Sequence, residues 1–181
     1  MAKLCPPSMA FMLYNPVRKF LTNRMRIIRD AGIKADSVVL EVGCGNGFFT
    51  GTLARAARKV IAVEVQKAMA DKLYMNLGQA AQQSSIEIHV EDIAELSLPA
   101  GSVDVAFLYY SFHEIQNQET AAAVIARAVK SRGILAIYEP AIEVGNNAMK
   151  QTIGIFEKHG FSAPFQRGKT IFTRRALMLK A

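Results

Sequence analysis

Short apolar runs alternate along the chain with longer stretches in which apolar residues return every three or four positions. The runs Ser37–Gly43 (SVVLEVG), Lys59–Val65 (KVIAVEV), Ile86–Val90 (IEIHV), Ser102–Tyr110 (SVDVAFLYY) and Gly133–Glu139 (GILAIYE) predict five strands buried on both faces. The stretches Phe49–Arg58, Lys67–Gln83 and Gln116–Arg132 predict helices packed on that sheet. Strict β-α alternation implies parallel strands joined by right-handed crossovers, hence an α/β fold with a doubly wound, mostly parallel sheet and helices on both faces. A further helix is predicted from Asn146 to His159, stopped by Gly160, and two strands around Gly168 close the chain as an antiparallel hairpin, giving seven strands. Ahead of the first strand, Asn15-Pro16 reads as an N-cap and first helical residue. Val17, Leu21, Met25 and Ile28 continue at helical spacing to Gly32, with Arg18, Arg24 and Arg26 on the other face.

In an open parallel sheet ligands bind beyond the carboxyl ends of the strands, so candidate chemistry is sought there. The first strand ends in Glu41-Val42-Gly43-Cys44-Gly45-Asn46-Gly47-Phe48. Glycines at alternate positions turn the chain sharply and admit a ligand where a Cβ would clash. A nicotinamide fingerprint, GxGxxG, would require glycine where this chain has Phe48.

An acid, one residue, then GxGxG at the end of the first strand resembles the first motif of the class I S-adenosylmethionine-dependent methyltransferases, and VLEVGCGNGFFTGTLA is similar to it over its length. The resemblance extends from about Asn15 to the last strand, implies one Rossmann-like methyltransferase domain over 1–181, and is nearest to small stand-alone members with an "HE" signature after strand four, the group that includes ubiquinone- and menaquinone-type enzymes. It implies S-adenosylmethionine as cofactor. Glu41 is expected to accept from its ammonium group, and the turn of Gly43, Gly45 and Gly47 to offer backbone N–H groups to its carboxylate. Glu64, ending strand two, would accept from the two ribose hydroxyls. Asp92, after strand three, would accept from the adenine amino group, with Glu91 as competitor and capping of a helix as the alternative role for Asp92. Val65 and Ile93 would flank the adenine faces, and Cys44 would be a small buried filler.

The end of strand four faces the methyl acceptor in this family, and here it reads Tyr109-Tyr110-Ser111-Phe112-His113-Glu114. Enzymes that methylate nucleobase amines usually carry an acid or amide followed by Pro-Pro and an aromatic residue there; this chain has neither, which argues against a base-amine acceptor. His113, with an imidazole suited to proton transfer near neutrality, is the candidate base or substrate contact; orienting the loop together with Glu114 is the alternative. Tyr109 would border the methionine part of the cofactor, or sit in the core with Tyr110, and Glu139-Pro140 borders the acceptor pocket. His89 and His159 read as structural.

Charge then changes the picture of partners. The chain carries +7, and the excess is uneven: residues 1–40 hold seven basic and two acidic residues, residues 41–157 nine and thirteen, and residues 158–181 six and none. The basic ends admit contact with RNA or an anionic surface, and the resemblance implies that residues 1–35 form an N-terminal helical extension over the acceptor side, although a solvated basic face explains the same helix. Two cysteines and three scattered histidines, His89, His113 and His159, form neither a disulfide scaffold nor a metal site. No apolar run approaches a membrane span, and a reduced, cytosolic protein is expected. The reading is therefore an S-adenosylmethionine-dependent methyltransferase of a small organic acceptor. The alternatives are an RNA or protein methyltransferase and a non-catalytic cofactor-binding partner subunit.

Overall fold

The computed structural model describes residues 22–82, 85–170 and 172–181. Within them the elements run α1 (Arg24–Asp30), β1 (Val38–Val42), α2 (Thr50–Ala56), β2 (Lys59–Val63), α3 (Lys67–Leu77), β3 (Ile86–His89), β4 (Val103–Tyr109), α4 (Gln118–Ala128), β5 (Val129–Pro140), α5 (Asn146–Lys158), β6 (Gln166–Lys169) and β7 (Thr173–Leu179). The seven strands form one sheet in the order β3-β2-β1-β4-β5-β7-β6. From β3 to β5 every pairing is parallel, while β7 runs antiparallel to both β5 and β6. This is the doubly wound, mostly parallel sheet expected from the alternation.

Period-two placement of side chains divides the apolar strand residues between two cores. Val38, Leu40 and Val42 of β1 pack with Ile125 of α4 and Ile153 and Phe156 of α5. Val39 packs on the opposite face with Ile28 of α1, Leu53 of α2 and Leu73 of α3. Because both faces are covered, all five residues of β1 are buried, which explains why its sequence is an unbroken apolar run apart from Glu41. The order of strands reverses beside β1, whose neighbours β2 and β4 carry their connections to opposite faces. A crevice therefore opens past the carboxyl ends of these three strands.

Several boundaries depart from the expected ones. The described helix before β1 begins at Arg24 with its own N-cap, the Asn23 side chain accepting from Arg26 N–H at 2.9 Å. The predicted opening at Asn15-Pro16, with Val17, Arg18 and Leu21, lies outside the described residues, as does most of the 1–35 extension. Ile28 is buried as the spacing requires, but Met25, in the first turn of α1 after its Asn23 cap, is 56% exposed. The third predicted helix ends at Leu77, and a 3₁₀ turn, Gly78–Gln82, follows it. The helix predicted to run to Arg132 stops at Ala128, where Val129 enters β5 opposite Val103. Arg132 then takes φ 61°, a left-handed break that shifts the register before Ile134 pairs with Val105. Local helix propensity in ARAVK yields there to sheet pairing.

Candidate ligand site

A cleft of about 240 Å³ lies at the predicted crevice, lined from β1 by Glu41 and the glycine turn, from β2 by Glu64 and Val65, from the segment after β3 by Glu91, Asp92 and Ile93, and from β4 onward by Tyr109–Ser111 and Glu114. All the expected cofactor residues except Gly47 thus line one space. Gly47 packs behind it, where a Cβ would come 2.5 Å from Leu73 Cδ1.

The glycine turn holds its shape through internal bonds. Gly43 and Cys44 N–H both donate to Val63 O, at 2.9 and 3.1 Å, and Gly47 N–H donates to Cys44 O at 3.0 Å. Gly45 N–H donates to Glu64 Oε2 at 2.9 Å. The N–H groups of Gly43, Gly45 and Gly47 are thus engaged within the protein rather than held open to the cleft, unlike the arrangement expected from the sequence. Gly43 and Gly45 have φ 69° and 56°. A Cβ on Gly43 would collide with Ser111 Cβ, whereas one on Gly45 meets nothing nearer than Met69 Cε at 3.5 Å. Of the turn's three glycines, Gly45 is thus the one whose missing Cβ leaves room on the cleft side.

Two carboxylates in the crevice are buried, and they differ in how they are held. Glu64 accepts from Gln66 N–H with Oε1 at 2.8 Å and from Gly45 N–H with Oε2. Burial raises its pKa and these backbone donors oppose the rise. Each oxygen keeps a lone pair for an outside donor. Glu41, 4% exposed, has an oxygen, Oε2, without a hydrogen bond of full geometry, and the nearby Thr50 hydroxyl, itself otherwise unpartnered, offers the carboxyl only a weak donor. Burial, helped by the charge of Glu64, pushes the Glu41 pKa up to about 8, with nearby Thr50 offsetting part of the rise. A buried acid without a full set of partners, lining an open cleft, is a candidate for contact with a ligand.

Across the cleft, Asp92, which lines it, accepts with Oδ1 from Ala94 N–H at 2.9 Å, closing a turn rather than capping a helix. Glu91 is tied to His89, its Oε1 standing 3.1 Å from Nδ1, and His89 Nε2 meets Glu87 Oε1 at 2.6 Å. Val65 is 48% exposed while Ile93 is buried, so the two present apolar surface at this end of the cleft. Cys44 is buried and free, and burial raises its thiol pKa far out of the reactive range.

The β4 wall is an aromatic stack. Tyr109 lies between Tyr110, with ring centroids 4.3 Å apart, and Phe49, at 4.5 Å, with Phe48 stacked at 6.3 Å. Phe48, read from sequence only as the missing third glycine, is a wall residue. Ser111, also unmarked in the sequence, donates from Oγ to Val42 O at 2.7 Å and locks the loop after β4 onto the end of β1.

His113 does not line the cleft. Its Nδ1 is 2.6 Å from Glu139 Oε2, its backbone N–H donates to Glu139 Oε1 at 3.2 Å, and Nε2 stands 3.3 Å from Glu143 Oε2. Glu114, the partner expected from sequence, is 3.9 Å away and instead lines the cleft. Burial alone would lower the His113 pKa, but Glu139, with help from Glu114 and Glu143, raises it overall. Among the described residues no group of three His, Cys, Asp or Glu side chains could hold a metal ion.

An α/β sheet in this order, with a glycine turn, a buried ligandless acid and a second acid one strand over, defines a protein that binds a nucleoside-type ligand at its switch point. Residues 40–137 match the family described as Methyltransferase domain, and the chain belongs to the class I S-adenosylmethionine-dependent methyltransferases. It is 31% identical over 87 residues to ribosomal RNA small subunit methyltransferase A of Thermotoga petrophila, covering 48% of this chain and 32% of that protein. It is 29% identical over 102 residues to a probable S-adenosylmethionine-dependent methyltransferase of Mycobacterium tuberculosis, covering 56% and 35%. The chain thus spans about a third of the length of these curated relatives. Its fold matches a methyltransferase structure from Aquifex aeolicus with a TM-score of 0.85 at 21% identity, covering 98% of this chain and 100% of that one.

Proposed function

We propose that the protein transfers a methyl group from S-adenosylmethionine to a small organic acceptor. The observation that carries the cofactor assignment is Glu41: a buried carboxyl with an oxygen lacking a full hydrogen bond at the rim of the cleft fits a cationic ligand group. In this reading Glu41 holds the ammonium, Glu64 the ribose hydroxyls and Asp92 the adenine amino group. Val65 and Ile93 contact the adenine faces, and Gly43, Gly45 and Gly47 keep the turn clear. When bound, the cofactor supplies a methyl group on a positively charged sulfur. The chain's part is to align it and exclude water, for which the Tyr109 stack and the loop Ser111–Glu114 form the wall. The Glu139 contact supports the loop-orienting role for His113 over that of a base, and makes Glu114 the ionisable group of this loop that faces the ligand.

The tyrosines at the end of β4, in place of an acid or amide, support a small acceptor. A second reading, RNA, is favoured by the likeness to ribosomal RNA methyltransferases and by the basic ends. No helix among the described residues is long and apolar enough to cross a membrane, and we place the protein in the cytosol. Calorimetry with S-adenosylhomocysteine tests the site: Glu64→Ala is expected to weaken binding at least tenfold, about 1.4 kcal/mol, and a smaller loss refutes the assignment. Labelled methyl appearing in RNA rather than in a small-molecule extract would overturn the acceptor class.

A further inference from the structure

The sequence sets Arg24 and Arg26 together on one basic helix face, but in the structure α1 sends them to different partners. Arg26 is exposed, its side chain 3.9 Å from Asp30 one turn on. Arg24 reaches the residue that follows the glycine turn: its Nη1 donates to Phe48 O at 2.8 Å, and the guanidinium carbon lies 5.4 Å from the centre of the Phe48 ring. Arginine suits both contacts at once, because its planar fork donates along its edges while its flat face is attracted to an aromatic ring. The carbonyl it bonds stands just ahead of α2. That helix begins its own bonds one residue later, with Phe49 O accepting from Thr52 and Leu53 N–H, both at 2.8 Å, and its N-cap Phe49 supplies no side-chain bond. The entry to α2 is therefore held from a separate element.

We propose that Arg24 is a positioning residue for the amino-acid half of the cofactor, acting through Phe48. The proposal rests on the methyltransferase reading above, in which Glu41 and Tyr109 serve that half. Phe48 lines the cleft and stacks on Tyr109, and two residues further on stands Thr50, whose hydroxyl is the weak donor beside Glu41. Arg24 is half-buried and does not itself line the cleft. What it fixes is the ring that forms the wall and the run Phe48-Phe49-Thr50 that leads into α2. The residues assigned to adenine, Val65, Asp92 and Ile93, follow β2 and β3 and belong to other segments. Loss of Arg24 therefore loosens one end of the cleft and leaves the other as it was.

The test is calorimetry on the full chain with two ligands: S-adenosylhomocysteine, which carries the amino-acid half, and 5′-methylthioadenosine, which lacks it. Arg24→Ala is expected to weaken S-adenosylhomocysteine binding at least about fivefold and 5′-methylthioadenosine binding less than about twofold. Arg24→Lys keeps the charge without the planar fork and is expected to stay at least about threefold weaker than wild type for S-adenosylhomocysteine. Arg26→Ala removes an equal charge from the same turn of α1 and is expected to leave both affinities within about twofold. Unchanged affinity in Arg24→Ala, an equal loss for the two ligands, full recovery in Arg24→Lys, or a loss in Arg26→Ala as large as that in Arg24→Ala overturns the proposal with the cofactor reading intact. A wild-type protein that binds neither ligand overturns it by removing the reading beneath it.

Discussion

Replacing Glu41 by Gln keeps the shape of a buried side chain and deletes its ability to ionise. With a folded pKa of about 8 against an ordinary 4.5, Glu41 is mostly protonated at pH 7 in the free protein and ionised in the unfolded chain. At about 1.36 kcal/mol per pH unit, the folded state carries a penalty of about 3 kcal/mol at pH 7. The sign follows from proton counting. Between 4.5 and 8 the native state holds a proton the unfolded state has released, so stability falls as pH rises and levels off above 8. Glu41→Gln removes this slope and is expected to stabilise the free protein by about 2–3 kcal/mol at pH 7, or about 5–10 °C in Tm for a chain of this size. The same group accounts for cofactor binding in the proposed site: a cationic ligand draws the proton off. Affinity in the wild type is then expected to rise up to about tenfold per pH unit from 6 to 8, with close to one proton released on binding. Urea denaturation across pH, and calorimetry in buffers of different ionisation enthalpy, measure both effects. A Gln variant that is less stable at pH 7 with an unchanged slope, or wild-type binding that is flat from pH 6 to 8, refutes the argument.

Two further substitutions separate packing from ligand access. Gly43→Ala drives a Cβ into Ser111 at positive φ and is expected to cost about 2–4 kcal/mol in chemical denaturation. Gly45→Ala, whose Cβ would meet only the flexible Met69 Cε at an ordinary 3.5 Å, should cost only about 1 kcal/mol yet lose most affinity for S-adenosylhomocysteine; equal stability losses for the two would contradict the assignment of Gly45 to ligand approach. Glu139→Gln removes the chief group that raises the His113 pKa against the effect of burial. The imidazole, followed by NMR titration, should therefore become ionised only at lower pH than in the wild type, and an unmoved midpoint would show that Glu139 does not hold it.

What could be read in advance was what repeats locally. The β-α alternation fixed the sheet, and the family resemblance carried by the acid and the glycine turn pointed to Glu41, Glu64 and Asp92, three residues that line one cleft. Contacts between distant segments were hidden. The end of α4 could not be seen in ARAVKSRG because only pairing with Val103 pulls Val129 into a strand. Ser111 carries no mark in the sequence that it bonds to Val42, sixty-nine residues earlier. Glu114 looked like the partner of His113 by adjacency, whereas the partner is Glu139, twenty-six residues on.

Three acids, Glu41, Glu64 and Glu139, lie at the carboxyl ends of parallel strands, all buried and all with raised pKa values. In the interior such a group must find donors or give up its charge. Glu64 has two backbone N–H groups and Glu139 has His113, each supplied by the chain itself. Glu41 leaves one oxygen without a hydrogen bond of full geometry. Since the fold satisfies the other two acids from within, its failure to do so for Glu41 points to a partner that arrives through the cleft.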